Sequence, residues 1–151
     1  MFVNWKRFIL ILVTGAVAGL AWNAASGRGF ALGRSVLVQA GDEIVAAADA
    51  KALLDRGALF VDARPRDFWR MSRIPGALPL PDEEFDRAFA EIEARLRRAN
   101  GIVVYCSGFG CEASHLVARK LRERGLIAAI LNEGIPAWED AGFPMDSEPR
   151  S

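Results

Sequence analysis

The sequence predicts an α/β domain built on a parallel β-sheet, because short apolar segments alternate with helical ones from residue 43 onward. Two segments carry this prediction. Residues 102–105 (IVVY) are short, apolar and rich in β-branched side chains, which is typical of a strand covered on both faces. Residues 81–100 carry an apolar stripe at helical spacing, formed by Phe85, Phe89, Ile92 and Leu96. We expect this stripe to pack in the core.

The other elements follow from hydrophobic spacing and from stop and start signals. The predicted helices are residues 49–56, 65–70, 112–124 and 136–141, and the predicted strands are residues 58–61, 78–80 and 126–131. Gly57 ends the first helix, and Pro65 can open the second. Ligand sites in parallel α/β sheets lie beyond the carboxyl ends of the strands. Asp62 and Cys106 both follow predicted strands, so we expect them at the same edge.

The N-terminal segment differs from the rest in composition. Residues 8–25 carry no charge, Lys6 and Arg7 precede them, and Trp5 and Trp22 lie near the two ends. As a helix this segment would span about 27 Å, just short of a typical hydrocarbon core. We expect residues 1–25 to form one transmembrane anchor. A cleaved signal segment and a buried core helix are the alternatives.

The remaining organisation follows from this anchor. The Gly- and Ser-rich residues 26–42 predict a linker, residues 43–146 a folded domain, and residues 147–151 a tail. The positive charges before the apolar segment favour an inward N-terminus and an exported domain on a single-pass membrane protein.

Charge and cysteine content restrict the function. Nineteen Lys and Arg balance nineteen Asp and Glu, so nothing indicates a nucleic-acid partner. Two cysteines are too few for a disulfide framework, or for a zinc site without other ligands, and His115 is the sole histidine. We expect no metal and no organic cofactor. Because no partner for His115 is visible in the sequence, we interpret it as a surface or groove residue rather than a general base.

The segment after residues 102–105 has the pattern of a reactive loop. Gly108 and Gly110 can adopt positive φ, so the loop can direct its N–H groups to one point, and the following helix adds its positive end. A thiol at that point is stabilised as thiolate, the nucleophilic form. Cys106 is therefore the candidate nucleophile, although a buried structural cysteine is the alternative. The loop residues are Ser107, Gly108, Phe109, Gly110, Cys111 and Glu112.

Four separated segments together resemble the rhodanese family of sulfurtransferases, over roughly residues 43–145. They are VDARP at residues 61–65, RIPGA at 73–77, the loop from Tyr105, and LNEGIPAW at 131–138 with GFP at 142–144. The resemblance implies a central parallel sheet flanked by helices. It implies that Cys106 accepts sulfane sulfur as a persulfide and that backbone N–H groups of Ser107 through Glu112 stabilise it. It also implies that Asp62 and Arg64 support the loop through ion pairs and hydrogen bonds.

The loop departs from the family pattern at its sixth position, where many rhodaneses have a cation and this chain has Cys111. The neutral rim, with Glu112 beyond it, favours a persulfide or polysulfide donor over the dianion thiosulfate, and a thiol as acceptor. Related phosphatases close a longer loop with Arg where Glu112 stands, so phosphate chemistry is disfavoured. Cys111 is either a plain helix residue or a thiol that resolves Cys106. We expect the loop to hold Cys111 at its edge, facing away, so that a Cys106 persulfide persists.

The leading hypothesis is therefore a membrane-anchored sulfurtransferase that carries sulfur on Cys106. One alternative is a thiol–disulfide redox protein that uses Cys106 and Cys111. Another is an anchored, non-catalytic binding module. The intact Cys106 argues against the binding module, whereas Cys111 keeps the redox hypothesis open.

Overall fold

The chain divides into two compact units, Met1–Arg34 and Ser35–Ser151. The computed structural model describes residues 42–148 and, in the first unit, Trp5, Ile9, residues 12–15 and Val17. Those seven residues of the first unit are helical. Within the described residues, no helix has the length and apolar character needed to cross a membrane. Most of the predicted anchor, the predicted linker up to residue 41 and tail residues 149–151 lie outside the described residues.

The second unit contains a five-stranded sheet in which every paired neighbour is parallel, so the predicted sheet is confirmed. Its strands are β1 (Glu43–Val45), β2 (Leu59–Asp62), β3 (Leu78–Pro79), β4 (Ile102–Tyr105) and β5 (Ala129–Leu131). The spatial order is β1-β5-β4-β2-β3, which places β4 at the centre. The sequence did not predict β1, because this edge strand is only three residues long and none of its side chains is buried.

Helices cover both faces of the sheet. They are α1 (Ala47–Asp55), α2 (Arg66–Met71), α3 (Phe85–Leu96), α4 (Glu112–Glu123) and α5 (Gly134–Asp140), with a 3-10 turn at Asp82–Glu84. One core cluster joins α3 and α4 to Val104 of β4, and the other joins α1 and α5 to Val103 and Tyr105. Alternate side chains of β4 thus enter opposite cores, which explains its uniformly apolar sequence. The predicted stripe on α3 is buried throughout.

Several predicted boundaries were wrong by a few residues. The helix predicted at 81–100 begins with the 3-10 turn and ends at Leu96, and the strand predicted at 126–131 is shortened to β5. The Leu126 N–H donates to the Leu121 carbonyl, so residue 126 caps the C-terminal end of α4 instead of beginning the strand. The last helix begins at Gly134 rather than Pro136, because proline is tolerated within a first helical turn.

Candidate active site

The carboxyl ends of β2 and β4 bring together the two residues that the sequence placed at one edge. Asp62 is the last residue of β2 and pairs in register with Tyr105, the last residue of β4. Cys106 follows Tyr105 directly and is only 3% exposed. The sheet therefore positions the candidate nucleophile one residue beyond its central strand, at the edge of the sheet where the buried Asp62 also lies.

A disulfide joins Cys106 to Cys111, with 6.2 Å between their Cα atoms. The expectation that the loop holds Cys111 at its edge, facing away, is therefore wrong. The predicted positive φ angles are confirmed, at 150° for Gly108 and 83° for Gly110. They allow the chain to reverse within the loop, and the Cys111 N–H donates to the Gly108 carbonyl at 3.1 Å. Loop curvature thus brings the two sulfurs together instead of separating them.

The same turn changes the predicted arrangement, in which the N–H groups of the loop point to the Cys106 sulfur. In this disulfide form the Cys111 N–H is engaged by Gly108, so it does not point to Cys106 as the family resemblance implies. Cys111 directly precedes α4, a twelve-residue helix, and its side chain makes no capping hydrogen bond. The helix N-terminus favours negative charge on a thiolate at this end of the loop.

Gly134 allows the segment after β5 to pass against the loop. Its φ is +65°, and the Ile135 N–H donates to the Cys106 carbonyl at 3.0 Å. A Cβ atom at residue 134 would collide with the Cys106 carbonyl oxygen and would lie 2.6 Å from the Gly108 nitrogen. Gly134 lies in the LNEGIPAW segment that carries the family resemblance, but the resemblance assigned it no role. The required close approach shows that only glycine fits here.

A buried ion pair supports the strand ends beneath the loop. The Arg64 Nη2 donates to Asp62 Oδ2 at 2.7 Å, Arg64 Nε donates to Oδ1 at 3.0 Å, and the Arg64 backbone N–H also donates to Oδ1. Arg64 further donates to the Ser72 carbonyl at 2.6 Å. These contacts tie β2 to the segment that follows α2. They place Asp62 and Arg64 in the kind of contacts that the resemblance implies.

Tyr105 completes this network, although the sequence analysis gave it no role. Its hydroxyl donates to Asp62 Oδ2 at 2.8 Å and accepts from the Ile74 N–H at 3.2 Å. Burial, reinforced by the negative charge of Asp62, raises the pKa of Tyr105 far above its usual range. Burial lowers the pKa of Arg64, but its hydrogen bond to Asp62 and the charge of that carboxylate give a net increase. The sequence did contain a signal for this role. Tyr105 ends a strand predicted to be buried, and a buried hydroxyl requires a hydrogen-bond partner.

His115 is buried, so its interpretation as a surface or groove residue was wrong. Its Nδ1 lies 2.9 Å from Asp42 Oδ2, and its Nε2 lies 3.1 Å from Asn132 Oδ1. Arg122 donates to the other oxygen of Asp42 at 2.9 Å. This cluster connects the end of the predicted linker to α4 and to the residue after β5. Within residues 42–148 and the described N-terminal positions, no three His, Cys, Asp or Glu side chains are grouped to hold a metal ion.

The outer rim of the loop carries little charge. Ser107, Gly110 and Glu112 are exposed, and the ring of Phe109 is 67% exposed. Residues 106–112 contain no Lys, Arg or Asp, and Glu112 is the one carboxylate among them. The arrangement offers two neighbouring sulfurs beside a helix N-terminus, and Glu112 is the acidic side chain on the exposed rim. Two sulfurs in this position can take part in thiol–disulfide exchange.

Comparison with known proteins gives one family. Residues 46–141 match the family model of the rhodanese-like domain. The HTH-type transcriptional regulator Rv0324 of Mycobacterium tuberculosis is 34% identical over 89 residues, which are 57% of this chain and 36% of the regulator. The chain therefore spans about a third of the length of that relative.

Two solved structures show the same fold. The BH2092 protein of Bacillus halodurans has a TM-score of 0.62 and 22% identity, over 70% of this chain and 77% of that one. A thiosulfate sulfurtransferase of Pseudomonas aeruginosa has a TM-score of 0.57 and 25% identity, over 72% of this chain and 21% of that one.

Proposed function

Because the chain belongs to the family of rhodanese-like domains, we propose that it is a sulfurtransferase that carries sulfane sulfur on Cys106. The observation that supports this most directly is the position of Cys106, which follows the central strand and opens a loop that ends at a helix N-terminus. In the reduced protein that environment favours the thiolate. No metal and no organic cofactor enter the proposed reaction.

The proposed reaction has two displacements. The Cys106 thiolate attacks the outer sulfur of a donor persulfide, R–S–SH, so that the new S–S bond forms on Cys106 while the bond to R–S breaks and R–SH leaves. An acceptor thiolate then attacks the outer sulfur of the Cys106 persulfide and regenerates the Cys106 thiolate. Each step exchanges one S–S bond for another, which requires no external oxidant.

The charge of the loop supports a persulfide or polysulfide as donor. Where a cation would attract thiosulfate, this chain has Cys111, and Glu112 follows it. Backbone N–H groups can still donate to a dianion, but a cationic side chain would add the attraction of opposite charges, and this loop has no such side chain. Thiosulfate is therefore the poorer donor in this proposal.

Sulfur loading of full-length variants tests the function. The reduced Cys111→Ser protein, incubated with cysteine persulfide and freed of donor, should gain the mass of one sulfur atom. Cys106→Ser should gain none and should not transfer sulfur to a thiol acceptor. If Cys106→Ser transferred sulfur at the wild-type rate, Cys106 would not be the carrier.

Residues 8–25 also support the proposal of a single-pass membrane anchor with an exported domain. The uncharged run, the preceding Lys6 and Arg7 and the flanking tryptophans are its evidence. The balanced charge of the chain gives no reason to propose a nucleic-acid partner, even though one relative is a transcriptional regulator.

The second candidate function is thiol–disulfide exchange, and the Cys106–Cys111 disulfide is the observation that favours it. In this alternative the pair gains and loses two electrons without binding sulfane sulfur. A redox protein of this kind would exchange disulfides with a partner at the same rate whether or not a persulfide was present.

A further inference from the structure

We propose that Cys111 resolves the Cys106 persulfide, so that the domain reduces sulfane sulfur to sulfide and requires a dithiol partner to restart. This inference rests on the proposed loading of Cys106. The Cys111 thiolate attacks the inner sulfur, Sγ of Cys106. The bond between the two cysteine sulfurs forms, the bond to the outer sulfur breaks, and that sulfur leaves as hydrosulfide. The two cysteines are oxidised and the sulfane sulfur is reduced.

The first argument is the position of the two sulfurs. The disulfide is formed within the intact fold, with strand β4 and helix α4 regular on either side. Cys111 Sγ therefore reaches Cys106 Sγ, the inner sulfur of a persulfide, and attack there releases the outer sulfur. Attack on the outer sulfur would instead move the sulfur to Cys111. An intramolecular thiol held this close has a large advantage in effective concentration over a dissolved acceptor.

The second argument is access to the loop. Cys106 is 3% exposed, whereas Cys111 is only half-buried. An external thiol therefore meets Cys111 more readily than Cys106. Attack on Cys111 Sγ forms a mixed disulfide there and expels Cys106 as a thiolate. The rate of such exchange depends on which sulfur is accessible and on how well the other sulfur leaves.

The partner follows from this chemistry. A second thiolate must then attack the partner's sulfur in the mixed disulfide, which releases Cys111 as a thiolate. In a dithiol this second attack is intramolecular and therefore fast, and the partner leaves as an internal disulfide with both cysteines of the domain reduced. The rim has no cationic side chain, and Phe109 is 67% exposed on it, so it suits a dithiol protein better than a small thiol of high negative charge.

A single turnover tests the inference. Full-length wild-type, Cys111→Ser, Cys111→Ala and Cys106→Ser proteins are reduced, freed of reductant, and given one equivalent of cysteine persulfide without oxygen or an acceptor. Sulfide and intact mass are then measured over time. Wild type should release one equivalent of sulfide and become lighter by two hydrogens. Both Cys111 variants should retain the added sulfur and release none, and addition of dithiothreitol should return wild type to its starting mass.

The outcomes separate the inference from the function on which it rests. If wild type and both Cys111 variants all retain the added sulfur, Cys111 is not the resolving thiol, although Cys106 still carries sulfur. If the Cys111 variants gain no sulfur, the proposed loading itself fails. Sulfide release at equal rates from wild type and from both Cys111 variants would also overturn the inference, because water or a second donor molecule would then be the nucleophile.

Discussion

At the scale of single residues, Asp62 determines the charge balance beneath the loop. Its carboxylate is fully buried and compensates the guanidinium of Arg64, which is itself 5% exposed. The Asp62→Asn substitution keeps the side-chain volume but leaves a buried cation without its counter-charge. We expect the free energy of unfolding to fall by about 3–5 kcal/mol, as measured by chemical denaturation.

Asp55→Asn is the matched control for that substitution. Asp55 forms an ion pair with Lys51 at 2.7 Å, but its side chain is 60% exposed. The same chemical change there should cost less than about 1 kcal/mol, because exposed pairs are screened by water. Equal losses for the two variants would contradict the view that burial makes Asp62 important.

Tyr105 gives a pH-dependent test of the same network. Its folded pKa is raised above the ordinary value of 10.0, so the stability that its neutral form contributes is fully present below pH 10.0 and is lost as the pH rises above it. Tyr105 is the sole tyrosine of the chain, so tyrosinate absorbance reports on it alone. Folded protein should show no tyrosinate near pH 10.0, whereas denatured protein should titrate there. Identical titration curves would show that the hydroxyl is neither buried nor hydrogen-bonded to Asp62.

At the scale of elements, the loop and the segment that begins α5 form one packed unit at Gly134. Gly134→Ala combines a positive φ with a collision against the loop backbone, whereas Gly142→Ala has a similar φ of 70° and open space around the new Cβ. The Gly142 variant should lose about 1–2 kcal/mol from backbone strain alone. The Gly134 variant should lose about 1–3 kcal/mol more, because the loop must shift.

Denaturation curves and disulfide reduction rates measure this difference. We expect reduced Gly134→Ala to form the Cys106–Cys111 disulfide at a changed rate, since the colliding atoms belong to Cys106 and Gly108. Gly142→Ala should keep the wild-type rate. If the two variants lost equal stability and kept equal rates, the close approach at Gly134 would not shape the loop.

The elements also show how far sequence reasoning reaches. β4 and the buried stripe of α3 were predictable, because their patterns are local and the same side chains form the core. β1 was missed, since an edge strand is defined by its partner and not by its own three residues. The partners of His115 are 73 and 17 residues away, and no local pattern contains that information. The disulfide was not predicted either. Gly108 and Gly110 indicated that the loop curves, but the sequence does not show towards which side the curve directs Cys111.

At the scale of the whole molecule, the compartment of the domain decides which form of the cysteine pair is present at rest. Disulfides persist in oxidising compartments and are rare in the cytosol, where thiols are kept reduced. An exported domain would therefore rest with Cys106 and Cys111 joined, and it would need a dithiol reductant on the same side of the membrane. A domain facing the cytosol would rest with a free Cys106 ready to accept sulfur. The side of the membrane on which the domain lies therefore determines whether Cys106 and Cys111 are oxidised or reduced at rest.

The final prediction addresses the anchor. Full-length protein should remain with the membrane fraction through high salt and carbonate at its full mass, because residues 8–25 carry no charge and as a helix would span about 27 Å. Leu12→Arg should shift the protein out of that fraction, since a charge at the centre of a helix costs about 2.5–3.5 kcal/mol on insertion scales. Leu12→Phe, which keeps the site apolar, is the control. A soluble product that begins near Gly27 would instead identify the segment as a cleaved signal, and full-length protein in the soluble fraction would exclude both.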